Sequence, residues 1–237
     1  MNAFSLSQRR QWLLGILWAL LTLCPVNRLL LRASWLALTA GMLAWLLWRG
    51  RRSRSLRWLL VAVIVSAGGW FTVGSRPVTT PELRAAYVQA LAGYAGVSYL
   101  WGGESRLGID CSGLVRRGFI DANLWLGLTH GNAAAVATAV RLWWHDQSAA
   151  ALRDGEAGTT VAVMDQVTLN TLGGDMLQPG DIMVTASGIH CMVYLGDSRW
   201  LQADPTRGLV FAESVPSRTN PWYASPAQIV RWRQLAV

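Results

Sequence analysis

Gly108-Ile109-Asp110-Cys111-Ser112-Gly113-Leu114-Val115 sets a cysteine between two small polar residues, with an apolar run directly after it. Upstream, Tyr99-Leu100-Trp101-Gly102-Gly103 supplies a glycine-rich approach. A short acidic residue ahead of an apolar run reads as a helix cap, so Cys111 falls in the first turn of a helix. The partial positive charge of a helix N-terminus favours thiolate over thiol. Far downstream, Ile189-His190-Cys191-Met192-Val193-Tyr194-Leu195-Gly196 offers a histidine opening an apolar strand. An activated cysteine with a distant histidine base is the material of covalent thiol catalysis.

Around this core the pattern is helices first and strands second. Thr80-Pro81-Glu82 reads as a cap, a first-turn proline and a first-turn acid, and Leu83, Tyr87, Leu91 and Tyr94 recur at helical spacing. The first helix is therefore expected to run to about Ala95. A second is expected from Asp110-Cys111 to about Leu124, and a third over Ala133–Leu152, ending near Gly155. Strands are expected at Thr160–Met164, Asp181–Thr185, His190–Leu195, Arg199–Ala203, Leu209–Glu213 and Ile229–Trp232. That order predicts an α+β domain over residues 81–237.

The N-terminal third is of another kind. Three apolar stretches, Trp12–Val26, Leu29–Trp48 and Trp58–Val73, approach the roughly 20 residues that cross a bilayer, the first being short and stopped by Pro25. Arg32 in the second stretch is expected to snorkel from near its end, with Trp58 and Trp70 as interfacial anchors of the third. Residues 1–74 are accordingly read as a membrane anchor of about three transmembrane helices, and 75–80 as a short linker. No small-x-small site suited to signal cleavage follows the first stretch, and Cys24 reads as a buried membrane thiol.

Charge gives the orientation. All 21 basic residues are arginine, 10 of them precede Pro81, and no acid occurs before Glu82. Arg49-Gly50-Arg51-Arg52-Ser53-Arg54-Ser55-Leu56-Arg57 holds five arginines in nine residues and, with Arg9 and Arg10, marks the cytoplasmic side. Arg28 and Arg32 at the outer turn oppose this and are outnumbered. The domain after Gly74 is then multi-pass anchored in the cell (inner) membrane and lies outside the cytoplasm, on the periplasmic side. Residues 82–237 carry 11 arginines against 13 acids, a net −2 that disfavours nucleic acid as a partner.

Taken in order, Tyr99-x-Trp101-Gly102-Gly103, Asp110-Cys111-Ser112-Gly113-Leu114-Val115, Leu177-Gln178-Pro179-Gly180-Asp181, and His190 with Tyr194-Leu195-Gly196 resemble the NlpC-type family of papain-like cell-wall cysteine peptidases. The resemblance covers residues 81–205. It implies a papain-like fold that cleaves amide bonds in peptidoglycan stem peptides, usually between D-glutamate and a diamino acid, with no cofactor and no metal. It implies Cys111 as nucleophile, His190 as base, Tyr99 as an oxyanion donor, and Asp110, Ser112 and Trp101 beside the substrate.

The third member is read from spacing. Gln202 lies twelve residues past His190, and a turn centred on Gly196 brings the two together. The family more often has histidine there; glutamine orients the imidazole without stabilising its charge, and Asp204 is the fallback. Asp181 reads as a turn residue, and Cys191 as core pointing away from His190, although a Cys111–Cys191 disulfide is conceivable outside the cytoplasm. A zinc site from His130, His190 and Cys191 lacks a recognised ligand spacing, and His145 reads as a surface residue. The stretch Thr129–Thr171, with Leu142-Trp143-Trp144, exceeds compact family members and reads as an added helix, with a groove wall, a lid or a contact with lipid headgroups as the alternatives. Two other readings remain open: a thiol-dependent amidase or acyltransferase on a lipid-linked substrate at the bilayer, and an inert wall-binding or assembly module.

Overall fold

In a computed structural model, which describes residues 6–26, 28–73, 75–172 and 176–236, three long helices precede a mixed domain. They are α1 (Leu6–Leu23), α2 (Leu29–Gly50) and α3 (Arg54–Val73). By length and composition α2 and α3 could cross a membrane, whereas the apolar part of α1, Trp12–Leu23, is shorter. α1 and α2 pair through indole N–H donors on threonine hydroxyls, Trp18 to Thr39 and Trp35 to Thr22, each at 2.9 Å. α1 and α2 thus form a hairpin, and no residue of α3 is buried. Residues 1–5 and Gly74, parts of the expected anchor and its boundary, lie outside the described residues.

The mixed domain opens with α4 (Thr80–Ala92) and a two-stranded hairpin, β1 (Glu104–Ser105) and β2 (Gly108–Ile109). Next come α5 (Cys111–Thr129), α6 (Ala133–Trp144), α7 (Ala149–Arg153) and β3 (Thr160–Val167). β4 (Ile182–Thr185), β5 (Cys191–Gly196), β6 (Arg199–Asp204), β7 (Leu209–Ser214) and β8 (Ala227–Trp232) complete it. The strands form one antiparallel sheet ordered β3-β8-β4-β5-β6-β7.

Side-chain alternation covers both faces of that sheet. Ile182, Val184, Cys191, Val193, Leu201, Val230 and Trp232 face the helices with Tyr87, Leu114, Val115 and Phe119. Met183, Met192, Tyr194, Trp200 and Ile229 form a second cluster with Leu169 and Tyr223. Phe119 of α5 stacks on Trp232 of β8 with centroids 4.5 Å apart, pinning the central helix to the sheet.

Several elements depart from expectation for identifiable reasons. α4 is capped by Thr79 rather than Thr80, in a reciprocal capping box with Glu82, and ends at Ala92 with Gly93 as its C-cap. α5 continues to Thr129, five residues past the expected end. The single helix expected over Ala133–Leu152 is two. Ser148 starts α7 by accepting the Ala151 N–H at 3.2 Å. The buried Arg116 guanidinium binds the Leu142 and His145 carbonyls that a continuous helix would have used, at 2.6 and 2.9 Å. The glycine-rich loop before Cys111 contains the β1–β2 hairpin, which the sequence did not signal.

Arg32 does not snorkel. It is 2 % exposed and turned into the mixed domain, donating to the Trp144 carbonyl at 2.7 Å. Its guanidinium ion-pairs with Glu104 at 3.5 Å, and Glu104 in turn holds Arg116 at 2.6 Å. Trp35 and Trp143 meet edge-on beside it. The α1–α2 turn is thereby joined to the domain by a buried ionic cluster. Glu104→Ala, which removes the carboxylate shared by two buried guanidiniums, should destabilise the chain by about 3 kcal/mol. The full-length protein in detergent should lose far more of its thermal midpoint than with Asp154→Ala, which cuts a surface pair with Arg153; equal losses would contradict the cluster's role.

Candidate active site

The start of α5 is fixed by its cap and by glycine. Both Asp110 oxygens are engaged: Oδ1 accepts the Gly113 N–H at 2.6 Å and the Ser112 hydroxyl at 3.1 Å, and Oδ2 accepts the Gly102 N–H at 2.8 Å. Burial raises the Asp110 pKa despite these donors. A Cβ at Gly113 would collide with the Gly103 carbonyl oxygen, so only glycine lets the helix sit this close to the approach loop.

Cys111 is 7 % exposed, with Sγ 4.0 Å from the Ile189 carbonyl oxygen. Its thiol is held well below the usual value. The largest cause is a hydrogen bond from the Cys191 thiol; burial opposes it, and the His190 ring adds a hydrogen bond and its charge. Cys191, fully buried, is pushed well above its usual value by burial and then by Cys111, which keeps it protonated as the donor. Cys191 is core, as expected, but it shares its core with Cys111 and serves that thiol. It is a free cysteine, like Cys111.

His190 is 1 % exposed, and its Nε2 lies 2.8 Å from Gln202 Oε1. An amide oxygen only accepts, so the ring proton sits on Nε2 and Nδ1 is left for the thiol. The route to this contact differs from the expected one. The β5–β6 turn falls at Asp197-Ser198, both with positive φ, and pairs Val193 with Leu201 and Tyr194 with Trp200. Continued to His190, that register sets Asp204 opposite, and the ring reaches Gln202 diagonally. Asp204 closes the next turn instead, its Oδ1 accepting the Thr206 and Arg207 N–H groups at 2.6 and 3.3 Å.

Trp222 was not anticipated. It stacks on the imidazole with centroids 4.3 Å apart and planes 21° from parallel, fixing the ring and covering it from water. Asn220-Pro221 signals the short 3₁₀ turn that carries it, since Asn220 Oδ1 accepts the Trp222 N–H at 3.1 Å. Nothing in the sequence pairs that turn with His190.

Cys111, His190, Tyr99, Trp101, Asp110 and Ser112 line one cleft of about 720 Å³. Trp101 is 77 % exposed at its rim. Tyr99 is half-buried, its phenol pushed up to about 12 by burial and then by the Cys111 charge, so it remains a hydrogen-bond donor. His130 faces Arg76 at 2.7 Å, away from the other proposed zinc ligands, and among the described residues no three metal-ligating side chains cluster. Asp181 is fully buried in a two-point ion pair with Arg231, at 2.6 and 2.9 Å.

A family model described as the NlpC/P60 family matches residues 96–229. No curated protein matches the chain. Solved structures similar to it include an NlpC/P60 family protein from Bacillus cereus, at 19% identity and TM-score 0.42 over 67% of this chain and 41% of that one. Another is the peptidoglycan hydrolase RipB from Mycobacterium tuberculosis, at 20% identity and TM-score 0.41 over 64% of this chain and 65% of that one. NlpC1 from Trichomonas vaginalis matches at 15% identity and TM-score 0.40 over 62% and 42%. The chain thus spans less than two thirds of each.

A thiol held low by donors stays ionised, and so reactive, further into acid. The rate of Cys111 alkylation by iodoacetamide should titrate at a pH well below that of an ordinary thiol, about 8.5. Cys191→Ala and His190→Ala should each move that midpoint upward. An unshifted midpoint in both variants would contradict the assigned causes.

Proposed function

The chain belongs to the NlpC/P60 family, and from that premise we propose that it is a membrane-anchored cysteine peptidase cleaving amide bonds in peptidoglycan stem peptides. The observation carrying this is the pair Cys111 and His190 lining one cleft, with Gln202 buried behind the imidazole, the thiol held low and the ring proton assigned to Nε2. Family resemblance favours the bond between the γ-carboxyl of D-glutamate and a diamino acid.

Cys111 Sγ attacks the amide carbonyl carbon, and the carbon–oxygen π pair moves onto oxygen. The Cys111 backbone N–H, without an intrahelical acceptor at a helix start, and the neutral Tyr99 hydroxyl are placed to receive that oxyanion. His190 Nδ1 carries the thiol's proton and gives it to the leaving nitrogen as the carbon–nitrogen bond breaks, leaving a thioester on Cys111. Water, losing a proton to His190, then releases the acid and the thiol. Gln202 accepts the Nε2–H hydrogen bond and keeps the ring oriented without adding a charge of its own.

Topology supports placing this chemistry outside the cytoplasm. Two helices can cross a bilayer, and the arginine-rich Arg49–Arg57 segment lies between them, opposite the α1–α2 turn that meets the domain. Peptidoglycan peptides and the bilayer are then the partners.

With sacculi as substrate and mass spectrometry as readout, Cys111→Ala and His190→Ala should abolish release of cleaved stem peptides. Gln202→Ala should lower kcat by about 10²-fold through a loosened ring. Full activity in Cys111→Ala would end the proposal.

A further inference from the structure

One residue that lines the cleft lies outside the matched residues 96–229. Arg28, in the turn between α1 and α2, lines it together with Cys111 and His190. That turn is built onto the approach loop rather than resting near it. The Pro25 carbonyl accepts the Glu104 N–H at 2.9 Å, Val26 forms an antiparallel bridge with Gly103, and the buried Arg32 follows one turn later. The other side of the same Gly103 backbone receives Asp110 at 3.1 Å, so the turn is one residue layer from the start of α5.

The charges around the cleft are already committed, with one exception. Arg116 is held by Glu104 and Asp146 at 2.6 and 2.7 Å, and Asp110 is spent on N–H and hydroxyl donors. Arg28 is exposed and, among the described residues, forms no ion pair. A guanidinium offered to a cleft in which every carboxylate is occupied is a receptor for an anion, in two-point geometry suited to a carboxylate.

We infer that Arg28 is a specificity-determining residue: it binds a free carboxylate of the peptide being cleaved, so the membrane hairpin completes the substrate site. The substrate class follows as an acidic peptide whose carboxylate reaches the cleft at the level of the outer hairpin turn. The identity of the substrate as a peptide rests on the peptidase reading above; the anion preference of the cleft does not.

The test uses the full chain in nanodiscs of zwitterionic lipid and two peptides that differ only in a carboxylate or carboxamide beside the scissile bond. Wild type should prefer the carboxylate. Arg28→Ala should lower the ratio of kcat/KM for the two peptides by about tenfold or more, mainly through KM, and Arg28→Lys should restore part of it. An unchanged ratio, as when Arg28 serves only lipid headgroups, overturns the inference. A second readout needs no turnover: the rate of Cys111 alkylation by anionic iodoacetate relative to neutral iodoacetamide should fall in Arg28→Ala. If wild type cleaves neither peptide, the peptidase reading fails, and this alkylation ratio alone decides Arg28: a fall supports the anion site, no change overturns it.

Discussion

The contact between Gly113 and the Gly103 carbonyl is the constraint on which the site depends. Any side chain at position 113 would force the first turn of α5 away from the approach loop. With glycine there, Asp110 can bind Gly102 on one side and Gly113 on the other, tying the loop to the helix start by one carboxylate. Cys111 then has a single position, at the head of a helix whose far side is locked onto the sheet through Phe119 and Trp232. The same loop backbone carries the α1–α2 turn on its outer edge, so that turn, the cleft and Cys111 share a few residues.

From that position the electrostatics follow. Cys111 is buried, and burial alone would raise a thiol's pKa; it is lowered because two partners on β5 and its approach outweigh desolvation. Cys191 contributes because strand alternation turns it toward α5, and His190 from the residue just before β5, held to Thr185 of β4 through its backbone N–H and carbonyl. Gln202 and Trp222 then hold the imidazole from its edge and its face. Each of these roles comes from a different element, which is why a sheet packed on both faces suits the task.

Much of this was legible in the chain. Period-two alternation located six of the eight strands, because strands with one apolar residue per face and turn residues between them leave a strong local pattern. Helix starts at Pro81 and Cys111 were visible to within one residue through their capping residues. The helix break after Trp144 was not, since its cause is Arg116, nearly thirty residues away. Gln202 was found by spacing although the turn falls later than expected; β pairing tolerates a diagonal contact, so a register error of this size left the partner unchanged. Trp222 and the service of Cys191 to Cys111 depend on tertiary approach and carry no local signature. Arg32 illustrates the converse: an arginine in an apolar stretch reads as a snorkelling residue until its partner Glu104, 72 positions downstream, is seen.

The α1–α2 turn is built onto the same loop that leads to Cys111, and the proposed chemistry stands or falls on whether Cys111 forms the covalent intermediate. Acid-quenched mixtures of the full chain with a stem peptide, analysed by intact-protein and peptide mass spectrometry, test this directly. The account predicts a thioester of the acyl fragment on Cys111 that vanishes as product accumulates. Product formed with no adduct on Cys111, or an adduct on another residue, would contradict it.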